Sequence, residues 1–203
     1  MNTAIARSVV FALLASMCLA IAVRADGPAT QPAPQPTPKP DAQADDQDFV
    51  ISGMRVQELK GMTYMFVSAQ STLGQIGDNI RQSMEKIQPA LKSGQVRPIG
   101  PALIIFHGVN GDPNNQFPLE VGFPVAVDAT APDGLQVKKL DSFRCATVLY
   151  SGGMQDIKHA YEAVYNDLTN AGLEPTDEGR EAVLLFEGPD SVNNVAMIQV
   201  GVK

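Results

Sequence analysis

Two ionisable side chains end two similar apolar runs of the sequence. His107 closes the run Pro101–Gly108 (PALIIFHG), and Glu187 closes the run Glu181–Gly188 (EAVLLFEG) further along the chain. A carboxylate can pair with a cationic ligand, and an imidazole can donate or accept one hydrogen bond. We therefore take His107 and Glu187 as candidate ligand-binding residues, related to each other by an internal duplication. The alternative interpretation is that both are solvated strand ends.

A second acid, Glu181, begins the second of these runs. Side chains two apart along a strand share a face, so the sequence places Glu181, Val183, Leu185 and Glu187 on one face. Because a strand rises about 3.3 Å per residue, the two carboxylates would be too far apart to share a proton. Glu181 and Glu187 are the candidate catalytic residues if the chain is an enzyme, although we expect a non-catalytic protein.

Aromatic side chains on the predicted strands supply surfaces for a flat ligand. Tyr64, Phe66 and Tyr150 could stack on such a ligand, and Phe106 is predicted to be a core residue or a cleft wall. The predicted ligand-binding set is listed here in full: Tyr64, Phe66, Phe106, His107, Tyr150, Val183, Leu185 and Glu187.

Common catalytic motifs are missing from the sequence. It contains no H-E-x-x-H, C-x-x-C, G-x-S-x-G or Walker motif, and its two histidines exclude a histidine-rich metal site. We expect neither a bound metal nor a cofactor. The formal net charge of −7 also disfavours nucleic acid as a partner, because phosphate attraction supplies most of that affinity.

The elements that would hold these residues occur twice. Apolar residues recur at spacings of three and four in two segments, as in amphipathic helices: Leu73, Ile76, Ile80, Met84, Ile87 and Leu91, then Met154, Ile157, Tyr161, Tyr165 and Leu168. Strand-like runs flank each helix. The halves, about 49–130 and 131–203, each predict strand(s)–helix–strand–strand. Together they predict an α+β domain with pseudo-twofold symmetry and a ligand cleft between the halves.

Local signals refine this prediction. Thr72 and Gln75 have the spacing of a capping box at the start of the first helix. Gly172 lies where a C-terminal cap of the second helix is expected. Pro118 and Pro124 indicate an exposed edge for the strand 117–125.

The N-terminal part has a different composition. Residues 1–25 combine Arg7 with an apolar run over 9–23, which predicts a signal peptide. Residues 26–48 are rich in proline and acids, which predicts a disordered spacer. The folded domain would be 49–203, exported to the periplasm or the medium without stable membrane insertion. A retained N-terminal membrane anchor is the alternative.

Six segments follow one another in a recognisable order: 56–59 (VQEL), 100–107 (GPALIIFH), 117–125 (FPLEVGFPV), 137–140 (VKKL), the helix from Tyr161 to Leu168, and 172–175 (GLEP). This ordered set resembles the GyrI-like small-molecule-binding domain, the effector-binding domain of AraC- and MerR-type regulators. The resemblance implies two strand–helix–strand–strand repeats that form a curved antiparallel sheet. It also implies a hydrophobic, often cationic, ligand in the groove between the repeats.

The same resemblance implies a pocket glutamate early in the second apolar run, just before an aromatic residue. Val183 or Leu184 occupies that place in this alignment. We therefore expect a neutral, largely apolar ligand unless Glu181 or Glu187 substitutes. Some family members resemble hydrolases of strained, cyclopropane-bearing compounds, which makes hydrolysis by Glu181 or Glu187 the first alternative.

A second resemblance is to the SOUL haem-binding proteins, whose fold looks similar. In that alternative His107 would be the axial ligand of haem. The sequence lacks the Gly-Phe-rich helix and the aromatic-Gly segment of that family, so the binding of a hydrophobic small molecule is the function that we expect. The oligomeric state stays open.

Overall fold

The computed structural model describes residues 48–203, so the predicted signal peptide and nearly all of the predicted spacer lie outside the described residues. The described chain has two helices, α1 (Ile76–Lys92) and α2 (Lys158–Asn170). Its strands are β1 (Phe49–Ile51), β2 (Arg55–Leu59), β3 (Met62–Ser71), β4 (Ala102–His107), β5 (Phe117–Val125), β6 (Gln136–Leu140), β7 (Phe143–Gly152), β8 (Pro175–Leu185) and β9 (Val195–Val202).

All strands belong to one antiparallel sheet, in the order β1-β7-β9-β8-β4-β5-β3-β6, with β2 also paired to β7. Repeat 1 supplies β2, β3, α1, β4 and β5, and repeat 2 supplies β6, β7, α2, β8 and β9. The α+β class and the duplicated strand–helix–strand–strand units are confirmed. The two repeats meet along β4 and β8 in the middle of the sheet.

Each repeat also lends its first strand to the other. β2 of repeat 1 pairs with β7 of repeat 2, and β6 of repeat 2 pairs with β3 of repeat 1. Leu59 ends β2 and Met62 begins β3, near opposite ends of the strand order. Three Cα–Cα steps of 3.80 Å cannot span more than about 11 Å, so the sheet must curl strongly to bring these ends together.

Both helices pack on the same face of this sheet, called here the helix face. α1 packs on β3 and β5, and α2 packs on β7 and β9. Ile76 and Ile87 of α1 are buried because the 3.6-residue period brings them to the sheet, and so are Leu168 of α2 and Ile157 just before it. The opposite face is called the inner face. Its residues Tyr64 and Cys145 have no exposed surface, since the curl of the sheet encloses them.

The end of α2 forms as predicted, whereas the start of α1 does not. Gly172 has a φ of 67°, and the N–H of Leu173 donates to the carbonyl of Leu168 in the C-capping pattern. The capping-box prediction at Thr72 is wrong. Its hydroxyl contacts the Oε1 of Gln75 at 3.2 Å rather than a backbone N–H, because a 3-10 turn (Leu73–Gln75) precedes α1.

The edge position predicted for β5 is also wrong. β5 lies between β4 and β3. Pro118 and Pro124 are tolerated there because β4 pairs with β5 only between Leu119 and Gly122. The missing N–H groups of both prolines therefore fall outside the β4 ladder.

Candidate functional site

A buried acid lies at the centre of the helix face. Glu181, on β8, has a relative exposure of 5%. It accepts a hydrogen bond of 2.5 Å from the hydroxyl of Tyr161 on α2. α1 and α2 cover the strands on either side, so β4 and β8 run between the two helices. We call this region the groove, and its floor residues Ile104, Phe106 and Glu181 are buried.

Strand register shows that Glu181 lies beside the pseudo-twofold axis. Val67 and Val148 hold the same position in the ten-residue strands β3 and β7. Val67 pairs with Val121, which is aligned with Ile104 on β4. Val148 pairs with Ile198, which is aligned with Glu181 on β8.

Ile104 and Glu181 are therefore equivalent positions in the two repeats. They are also direct partners across the β4–β8 pair. The axis that relates the repeats passes between these two residues. Paired residues in an antiparallel ladder have Cα atoms roughly 4.5–5.5 Å apart, so both side chains reach the same part of the groove floor.

The groove walls follow the same symmetry. Ile80 and Met84 of α1 pack, partly buried, against the core cluster that contains Ile104. Tyr161 and Tyr165 hold the equivalent positions of α2, 81 residues further along the chain. We call Ile80, Met84 and Ile104 the apolar wall, and Tyr161, Tyr165 and Glu181 the polar wall.

Burial controls the ionisation of the polar wall. It raises the pKa of Glu181 to about 6, against the opposing effect of the hydrogen bond from Tyr161. Burial and the nearby carboxylate raise the pKa of Tyr161 well above its ordinary value, and burial also raises the pKa of Tyr165. The carboxyl group of Glu181 therefore titrates near pH 6, while the hydroxyl groups of both tyrosines stay protonated at neutral pH.

Two of the eight predicted ligand-binding residues share the helix face with Glu181. Phe106 is buried in the floor, and Val183 is a partly exposed side chain that packs against the same cluster as Ile80 and Met84. Phe106 and Val183 therefore lie on the helix face, on the strands that run between α1 and α2.

Three predicted residues lie on the inner face instead. Tyr64 and Phe66 stack with ring centroids 5.2 Å apart, and the Tyr64 hydroxyl donates to the carbonyl of Leu103. The Nδ1 of His107 lies 3.9 Å from the Oε2 of Glu178. The sheet separates these side chains from the groove, so the predicted set does not line a single cleft.

The remaining predicted residues lie away from the floor. Tyr150 is fully buried in the core beneath α2, with its hydroxyl donating to the carbonyl of Gly153. Leu185 is exposed at the end of β8, and Glu187 lies beyond it, where it accepts hydrogen bonds from Ser191 and Asn193. A register irregularity between Val183 and Leu185 breaks the predicted alternation from Glu181 to Glu187.

The predicted equivalence of His107 and Glu187 is therefore wrong. Register makes Leu184 the counterpart of His107, and Phe186 lies outside the strand while Phe106 is buried within one. Register places Glu181, and neither Val183 nor Leu184, opposite Ile104 where the two repeats meet. Sequence reasoning missed Tyr161 and Tyr165 as candidate site residues. The signal was their constant offset of 81 residues from Ile80 and Met84.

A separate open depression of about 540 Å³ lies beside α2 and is lined by Asp48, Phe49, Asp156, His159, Glu162, Ala163 and Asn166. His159 stacks on Phe49 with ring centroids 5.0 Å apart and lies 3.0 Å from Glu162. None of the predicted ligand-binding residues lines this depression. Within residues 48–203, no cluster of His, Cys, Asp or Glu could hold a metal ion. None of the helices in that range could span a membrane.

Comparison with known proteins supports the same reading of the fold. The family model described as GyrI-like small molecule binding domain matches residues 53–196. No curated protein matches the chain.

Several solved structures share the fold at low sequence identity. In a cryo-EM structure of the EcmrR–DNA complex, the TM-score is 0.63 at 14% identity, over 76% of this chain and 57% of that chain. SAV2435 bound to tetraphenylphosphonium gives 0.54 at 12% identity, over 75% and 94%. A hydrolase from Listeria innocua gives 0.50 at 10% identity, over 74% and 91%. At these identities the likeness shows the fold alone.

Proposed function

This chain belongs to the GyrI-like small molecule binding domain family, and we propose that it binds a lipophilic cation in the groove between α1 and α2. The observation that carries the proposal is Glu181, a buried carboxylate at the centre of the groove floor. An unpaired buried charge is costly, so a cation that reaches this carboxylate gains a strong, poorly screened attraction. The sequence predicted a neutral ligand unless Glu181 or Glu187 substitutes for the missing acid, and we propose that Glu181 does so.

The surroundings of Glu181 determine the rest of the ligand. Ile80, Met84 and Val183 are partly exposed apolar side chains beside it, and Tyr161 and Tyr165 add two aromatic faces. Such a mixture suits a bulky apolar body that carries a single positive charge. Because Glu181 is almost completely covered, a ligand replaces Tyr161 as the partner of its carboxylate.

The structure of SAV2435 with tetraphenylphosphonium motivates the choice of probe. Binding of this cation to the full chain is measured by calorimetry, beside neutral triphenylphosphine oxide. We expect the cation to bind and the neutral compound to bind far more weakly. A ligand present at 100 times its Kd should also stabilise the fold by about 2.7 kcal/mol.

The variant Glu181→Gln tests the assignment of the acid. Losing one charged partner should cost about 1.5–3 kcal/mol, which is roughly 10- to 100-fold in Kd. Glu187→Gln is the matched control, because Glu187 is an exposed acid outside the groove, and its Kd should not change. Equal binding of the neutral compound, or wild-type affinity in Glu181→Gln, would disprove the proposal.

A second candidate function is hydrolysis at the same site. The pKa of about 6 for Glu181 suits a general acid or base at neutral pH, and a hydrolase shares the fold. Compounds with strained cyclopropane rings are incubated with the wild-type chain and with Glu181→Gln. Products formed by the wild type alone support catalysis, and no products from either chain leave binding as the function.

We also propose that the domain acts outside the cytoplasm. Support comes from the apolar run at 9–23 after Arg7 and from the spacer-like composition of 26–48. Mass spectrometry of the protein from fractionated cells tests this. A mature N-terminus near residue 26 in the exported fraction is expected, and an uncleaved chain in the cytoplasm contradicts it.

A further inference from the structure

We propose that the groove is polarised, so that it binds its ligand in one orientation, with the cationic end at the polar wall and the apolar end at the apolar wall. The ligand class that fits is a head-and-tail monocation, with its charge at one end of an apolar body. This inference rests on the proposed function and adds to it the direction of binding.

The pseudo-twofold axis gives each groove position of repeat 1 one counterpart in repeat 2. Ile80 corresponds to Tyr161, Met84 corresponds to Tyr165, and the floor residue Ile104 corresponds to Glu181. At all three positions repeat 1 has an aliphatic or thioether side chain, and repeat 2 has a polar group. The strand register of the groove floor is equivalent in the two repeats, whereas the side chains at these positions are not.

Energetics favours one of the two orientations. A cationic head at the polar wall meets the carboxylate of Glu181 and the faces of the tyrosines. In the reverse orientation the head would lie on Ile104 and Met84, which offer no hydrogen-bond acceptor of comparable strength, while the tail would cover the carboxylate. Desolvating two unpaired charges in this way is strongly unfavourable.

The same geometry predicts how many positive charges the ligand carries. Glu181 is the acid beside the axis, and its direct partner Ile104 is apolar and buried. A ligand with a second cationic group at its far end would place that charge against the apolar wall. We expect a bis-quaternary compound to bind at least about tenfold more weakly than a monocation of similar length, a difference of 1.4 kcal/mol.

Orientation is measured directly with an alkyltrimethylammonium probe that carries a nitroxide at the free end of its alkyl chain. The full-length chain carries ¹³C-methyl methionine and 3-fluorotyrosine. Met84 and Tyr165 are matched reporters because they hold equivalent positions on the two walls. Met84→Leu and Tyr165→Phe assign their signals, and the chemically reduced probe gives the diamagnetic reference.

The expected result is loss of the Met84 methyl signal while the Tyr165 fluorine signal survives. Equal loss of both signals, loss of the Tyr165 signal alone, or binding that affects neither would overturn the inference. A bis-quaternary compound that binds as tightly as the monocation would overturn it too. If no cation binds, including tetraphenylphosphonium, the proposed function itself is wrong. If a cation binds in the other orientation or in both, only the proposed orientation is wrong.

Discussion

The two repeats have the same packing residues and different groove residues. Positions that face the sheet carry similar side chains in both, such as Ile76 and Ile157, or Ile87 and Leu168, and all four are buried. Positions that face the groove differ in kind. Ile104 in repeat 1 corresponds to Glu181 in repeat 2, and the same contrast extends along both walls.

The inner face also carries different side chains in the two repeats. Glu120 of repeat 1 binds the Nζ of Lys138 at 2.7 Å, and its counterpart in repeat 2 is Met197. His107 faces Glu178, and its counterpart is the exposed Leu184. Polar side chains of the inner face therefore come from both repeats, because Arg180 of repeat 2 is buried there in an ion pair with Glu178. Packing restricts the shared positions, whereas the surfaces are free to diverge.

The largest expected loss of stability comes from a strand position at which the two repeats differ. Gly122 corresponds to Gln199, and a Cβ at Gly122 would lie 1.9 Å from the carbonyl oxygen of Met65. Since backbone would have to move, Gly122→Ala should lower the free energy of unfolding by about 3 kcal/mol, near the top of the usual range. Chemical denaturation of the full chain measures this loss.

Gly179→Ala is the matched control for this prediction. Gly179 corresponds to Ala102, and the nearest atom to its added Cβ is the carbonyl oxygen of Gln199 at 3.9 Å. Its stability should change by less than about 1 kcal/mol. If both variants lose the same stability, close approach of β3 and β5 at Gly122 is not the cause.

A pH titration isolates the acid that distinguishes the two repeats. The pKa of Glu181 in the fold is about 6, above the ordinary 4.5, so the folded state holds this proton more tightly than the unfolded chain. The carboxyl group of Glu181 therefore makes its whole contribution to the free energy of unfolding below about pH 4.5. This contribution is lost as the pH rises through 6. The loss amounts to about 2 kcal/mol for a shift of this size.

The measurement compares unfolding free energies of the wild type and Glu181→Gln between pH 4 and pH 8. The wild type should lose stability relative to the variant across this window, and cation affinity should rise over the same range as the carboxylate forms. Tyr161→Phe removes the hydrogen bond that lowers the pKa of Glu181, so its transition should move to higher pH. A constant difference between wild type and variant would contradict the assigned pKa.

The smallest expected effect concerns the upper part of the walls. Tyr165→Met gives repeat 2 the residue of repeat 1 and removes one aromatic face. Affinity for tetraphenylphosphonium should fall by about 0.5–1 kcal/mol, the usual size of an exposed cation–π contact. Met84→Tyr serves as the comparison in calorimetry. If Met84→Tyr lowers the affinity for tetraphenylphosphonium more than Tyr165→Met does, the cation lies at the apolar wall and the prediction is wrong.

Much of this fold was readable from the sequence because both periodicities are strong. The helical residues repeat with a constant offset of 81, from Leu73 and Met154 onward, and both helices occur where they were predicted. Strands β5 and β9 alternate as expected. Apolar periodicity reflects burial against a sheet, and burial is the dominant constraint on these segments.

The site was less predictable because the offset changes after the helices. The connection from α1 to β4 is longer than that from α2 to β8, which reduces the offset from 81 to 77 at Ile104 and Glu181. The chance likeness between PALIIFHG and EAVLLFEG hid this change of offset. Aligning the two runs makes Pro101 the counterpart of Glu181, three residues before the true counterpart Ile104. An odd shift along a strand exchanges its faces, so an error of this size reassigns the whole site.

The exchanged first strands have a consequence for how such a site can exist at all. One repeat alone could complete its sheet only by trading that strand with a second copy, as in a homodimer. Identical subunits would place the same residue on both sides of the axis, giving two acids or none. Two adjacent carboxylates repel and tend to share a proton. Fusing two diverged halves into one polypeptide is what allows a single charge to lie beside a symmetry axis.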